Sequence, residues 1–138
     1  MSLTRFHTAQ EKTYEQALKE IKNGRKCSCW MWYIFPQIAG LGTSRMAQYY
    51  AIADLQEAID YMKDEKLKNH LLEISSALLK LESSDPGEVF GYPDDRKLMS
   101  CMTLFEAVSP EQEVFQKVLD KFFDGKRDER TLQLIHQN

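Results

Sequence analysis

The sequence predicts an all-α fold: a single compact domain, residues 1–138, of roughly seven short to medium helices. Three observations carry this. Apolar residues recur at three- and four-residue spacing along most of the chain. Capping residues and Gly or Pro breaks punctuate those runs. One segment, 30–35, has β-strand composition, but no second β-pattern offers its amides and carbonyls a partner.

Tyr14, Ala17, Leu18 and Ile21 fall on one face of a first helix, which Asn23-Gly24 ends. Lacking a partner strand, segment 30–35 reads as a short helix capped by Ser28 and ended by Pro36. Ser44 caps a helix over 46–50. Asp54 caps the next, with Glu57 reaching back and Leu55, Ala58, Ile59 and Met62 buried. Asp64 starts a central helix whose stripe is Leu67, Leu71, Ile74 and Leu78, widened by Leu72 and Leu79. In 82–87 the serines and Asp85 favour a turn or cap; Pro86 suits the first position of a short helix through Phe90, closed by Gly91. Leu98, Met102 and Phe105 mark a helix after Pro93, and Phe115, Val118, Leu119 and Phe122 another after Ser109-Pro110. Segment 124–128 reads as a charged, solvated turn, and 131–136 as a terminal helix.

The composition narrows the function. The chain is 43% hydrophobic and 28% charged, with a net charge of -3 and a pI near 5.6. That balance argues against nucleic-acid binding, which needs clustered cations, although Lys22, Arg25 and Lys26 form a local basic spot. No apolar run approaches the roughly 20 residues that cross a bilayer, so no membrane partner is expected. Residues 1–5 lack the features of a secretion signal, and the expected location is cytoplasmic. Cys27, Cys29 and Cys101 read as free thiols. Cys27-x-Cys29 is half a metal site without a second pair, so neither metal nor cofactor is expected.

Segment 28–44 holds the densest chemistry: both tryptophans, further aromatics, Pro36, a Gly-x-Gly turn and a capping serine. At about 100° per residue Trp30 and Trp32 lie about 200° apart, which places one in the core and one in a cleft, where an indole can stack on a flat ring. Gln37 can read a base edge or ribose hydroxyl; an exposed loop glutamine is the plainer reading. Gly40, Gly42 and Ser44 offer a phosphate site at a helix start, or simply a turn between helices. The second polar concentration is 91–103. There Asp94 or Asp95 serves as ribose acceptor or acid/base, or merely favours a helix start. Lys97 serves as phosphate contact, with Ser100 and Thr103 nearby.

Arg5-Phe6, Ala9-Gln10, the run from Trp30-Met31-Trp32 to Gly42, Ser44, Phe90-Gly91, Asp94 with Lys97-Leu98, and 100–105 together resemble a bacterial family of unknown function. That family is sometimes labelled calpastatin-like, and its signature is close to Ser-His-Trp-Met-Trp, Phe-Pro-Gln, Gly-Leu-Gly. A calpain inhibitor of that kind is a flexible chain, unlike a sequence with capped helices and a core. The resemblance implies a connection with NAD or ADP-ribose metabolism. Cys29 stands where the signature has His, and a thiol with a pKa of about 8.5 is a poor substitute for an imidazole proton donor.

The expected function is therefore binding, with processing as an extension, of a nucleotide-derived small ligand of the NAD/ADP-ribose type. The ligand contacts would be Trp30, Trp32, Gln37, Gly40, Gly42, Ser44, Lys97, Ser100 and Thr103; the catalytic candidates are Asp94, Asp95 and Cys29. The competing class is a non-catalytic protein- or peptide-interaction module. The oligomeric state is not fixed by these residues.

Overall fold

Nine helices form among residues 2–136, which the computed structural model describes. In order they are α1 (Thr4–Lys22), α2 (Met31–Ile34), α3 (Arg45–Tyr49), α4 (Leu55–Lys63), α5 (Glu65–Leu79), α6 (Pro86–Phe90), α7 (Asp94–Val108), α8 (Val114–Phe123) and α9 (Glu129–His136). Each of the nine coincides with a segment that the sequence marks as helical; the total of roughly seven undercounts those segments, three of which close helices of only four or five residues.

The amphipathic stripes meet around α5, which packs against both α1 and α8, while α7 lies against α8. Ile21, Leu67, Leu71, Ile74, Phe105 and Phe115 are fully enclosed. Each such side chain removed from water contributes about 1.5–3 kcal/mol. No described helix is long and apolar enough to cross a membrane.

The local start signals hold. Ser44 accepts from the Ala47 amide at 3.1 Å, Asp54 from Glu57 at 2.9 Å, Asp64 from Leu67 at 3.2 Å and Asp85 from Gly87 at 2.9 Å. Each such cap is worth about 1 kcal/mol.

Four expectations are corrected. Ser28 does not cap α2; its hydroxyl donates to Glu20 at 2.7 Å, because a buried carboxylate is the stronger acceptor. Glu57 reaches the Ala53 amide rather than Asp54 and pairs with Arg5, where a charged partner is available. On α4, Tyr61 takes the fully buried place, and Leu55 and Ile59 are only half-buried. Segment 124–128 is not a solvated turn throughout. Arg127 binds Glu106 through two nitrogens, and the Asp128 carboxylate takes the Thr131 amide at the start of α9.

No strand forms among the described residues, but one parallel bridge joins Ile38 to Ile52. The Ala39 amide donates to the Ile52 carbonyl and the Ile52 amide to the Gln37 carbonyl, both at 2.8 Å. This rung closes the loop 39–51 at its base. Arg5 of α1 holds the returning limb of that loop next to the rung, donating to the carbonyls of Tyr49 at 2.9 Å and Ala51 at 2.8 Å while pairing with Glu57 at 2.8 Å.

Candidate functional site

One tryptophan is in the core and the other faces a cleft, but the helical angle is not the cause, because Trp30 precedes α2 with non-helical backbone angles. Trp30 is wholly buried, and its indole N–H donates to Glu20 at 2.9 Å. Trp32 is half-buried and stands on the wall of a cavity of about 300 Å³. Loop 37–42, Ala47, Gln48, Tyr50 and Ala51, and Pro93 with the first turns of α7 form the rest of that wall. The cavity therefore brings together Trp32, Gln37, Gly40, Gly42, Lys97 and Ser100.

The remaining candidates lie elsewhere, for identifiable reasons. Trp30 is held in the core by Glu20. Ser44 spends its oxygen on the amide of Ala47 and is not part of the wall. Thr103 is buried; its hydroxyl donates to the Met99 carbonyl at 2.8 Å and accepts from the Asp128 amide at 2.9 Å. It docks α9 rather than facing the cavity. Ser100 lines the cavity, but its hydroxyl is also within reach of Asp128, at 3.1 Å. Asp94, Asp95 and Cys29 are not among the lining residues, and Cys29 is an exposed free thiol.

Two glycines shape the loop. Gly40 has φ +106°, and an added Cβ would stand 3.0 Å from the Leu134 side chain of α9. At Gly42 a Cβ would stand 2.6 Å from the Cβ of Ala47, so only glycine lets the loop approach α3 this closely. The amides of Gly40, Leu41 and Gly42 find no backbone acceptor among the described residues.

The electrostatics are one-sided. Arg96 and Lys97 line the cavity, and no lining residue is an Asp or Glu. The Lys97 ammonium lies 5.4 Å from the centre of the Trp32 ring and 3.4 Å from Asp94. Asp94 is shared: its other oxygen is 2.8 Å from Lys26, whose ammonium lies 5.2 Å from the Trp30 ring. Two tryptophans and two lysines thus alternate around one carboxylate, with a net positive charge facing the cavity. A wall that is largely apolar, with cations and an amide at its edge, suits a flat ring carrying an anionic group.

Sequence reasoning missed Arg96, Gln48 and Tyr50 on the wall and Arg5 behind it. Arg96 adjoins Lys97, so its place on the first turn was a usable signal. Arg5 acts 44 residues away from the carbonyl it holds, and nothing local in its surroundings announces that.

A family model described as "Protein of unknown function (DUF1810)" matches residues 1–135. Among solved structures, the conserved hypothetical protein Rv1873 from Mycobacterium tuberculosis is 38% identical. The match covers 97% of this chain and 96% of that one, with a TM-score of 0.95. The comparison with curated proteins returns no match.

Proposed function

The chain belongs to that DUF1810 family, whose description assigns no activity, and from this premise we propose that the protein binds a nucleotide-derived small ligand of the NAD or ADP-ribose type in the cavity beside Trp32. The observation that carries the reading is a half-buried indole with a lysine ammonium 5.4 Å from its ring, on a wall with two cations and no carboxylate. Trp32 stacks the ring, Gln37 reads its polar edge, and Lys97 with Arg96 takes the phosphate. The unpaired amides of 40–42 add donors. At about 300 Å³ the cavity sits at the small end of ligand sites, which run from about 300 to 1,000 Å³.

The reading is one of binding. Asp94 is held by two lysines, and Asp95 and Cys29 lie off the wall, so no step of chemistry is assigned to them. The calpastatin-like label is not taken up, since capped helices around a shared core are unlike a flexible inhibitor chain. The interaction-module reading draws on exposed Met46 and Tyr49 of α3.

Thermal unfolding with AMP, ADP-ribose and NAD tests the proposal. A ligand at a hundredfold excess over its Kd adds about 2.7 kcal/mol of stability. The midpoint should rise with at least one of the three, and Trp32→Ala or Lys97→Ala should abolish the rise. No shift with any of them overturns the reading.

A further inference from the structure

Next to the cavity stands an aromatic that the fold does not use. Tyr92 is 78% exposed, the most open large apolar side chain among the described residues. It immediately precedes Pro93, which lines the cavity, as does Arg96 one turn on. The Arg96 guanidinium lies 5.7 Å from the centre of the Tyr92 ring, so one cation faces both the phenol and the cavity. Arg96 forms no ion pair among the described residues, in contrast to Lys97 beside it. An aromatic left in water, next to an unpaired cation that lines a small, half-open cavity, is chemistry for a ligand that extends past the cavity.

We propose that Tyr92 and Arg96 form a second subsite, which takes the outer planar ring of a phosphate-bridged dinucleotide whose inner ring stacks on Trp32. This rests on the cavity reading above and sharpens it. The bridging diphosphate runs past Arg96 and Lys97, which supply positive charge along its path. The outer ring stacks on Tyr92, a contact that depends on a π-face and tolerates different bases. The ligand class is therefore a compound with two flat rings, and ADP-ribose, which has one, is only a partial occupant.

Calorimetric titration of the intact protein with ADP-ribose and with diadenosine diphosphate separates the two ideas. The compounds share an adenosine diphosphate arm and differ in the second base. The two-ring compound should bind about tenfold more tightly, the usual worth of one stacked base. Tyr92→Ala should bring it down to the ADP-ribose affinity, and Tyr92→Phe should keep the preference. Equal affinities in the wild type, or an equal loss for both compounds in Tyr92→Ala, overturn the subsite. If ADP-ribose binds and depends on Trp32 while the second base adds nothing, the subsite alone falls. If neither compound binds, the cavity reading falls and the subsite with it.

Discussion

Glu20 shows how much one carboxylate organises. It sits on α1 and receives the amides of Cys27 and Ser28, the Ser28 hydroxyl, the Gln16 carboxamide and the Trp30 indole at 2.7–3.0 Å. Burial alone pushes its pKa up, but these donors outweigh that and lower it from 4.5 to about 2. A group depressed in the folded state contributes stability that is present above its unfolded pKa and lost as pH falls through the folded one. The contribution of Glu20 should accordingly fade between about pH 4.5 and 2. Glu20→Gln leaves donors unmatched and should cost about 2 kcal/mol at neutral pH, with a flatter acid limb in urea melts taken across that window. Asp94 makes a second test at this scale. It competes with any anion for Lys97, so Asp94→Asn should tighten ADP-ribose binding by roughly fivefold. Lys26→Met turns Asp94 wholly onto Lys97 and should weaken binding by a similar factor, although Lys26 does not line the cavity. A titration in which both variants move in the same direction contradicts the shared-carboxylate account.

The loop 39–51 and the helix α9 are built against each other. Leu134 of α9 lies under Gly40, while Ser100 and Thr103 of α7 hold the start of α9 through Asp128. Gly42→Ala forces two Cβ atoms to 2.6 Å and should cost about 1–3 kcal/mol in a thermal melt, with a matching loss of ligand affinity as the loop moves off α3. The elements divide sharply in how well the sequence reveals them. The caps Ser44, Asp54, Asp64 and Asp85 are legible because donor and acceptor lie two or three residues apart. Ser28 and segment 124–128 misread because their partners, Glu20, Glu106 and α7, are distant in sequence. The single rung between Ile38 and Ile52 is invisible to periodicity, since one bridge leaves no alternating pattern.

Across the whole molecule, the sequence placed the chemistry in two remote stretches, and the structure brings six of their residues onto one wall. It did not foretell which of the two indoles the core would claim, or that the Thr103 hydroxyl would be spent on the Met99 carbonyl and the Asp128 amide. The distribution of the core sets an expectation for dynamics. Helix α3 has no buried residue, whereas α5 has six. Local opening follows buried contacts, so hydrogen exchange should be much faster in α3 than in α5, and ADP-ribose should slow the 40–50 amides selectively. Uniform protection across both helices would contradict this. The rung at Ile38 and Ile52 has a further consequence. Because the excursion it pins departs from and returns to the same point on the body, a change at its exposed apex stays local, whereas a change at Gly40, Gly42 or Tyr50 is felt by α9, α3 or the core.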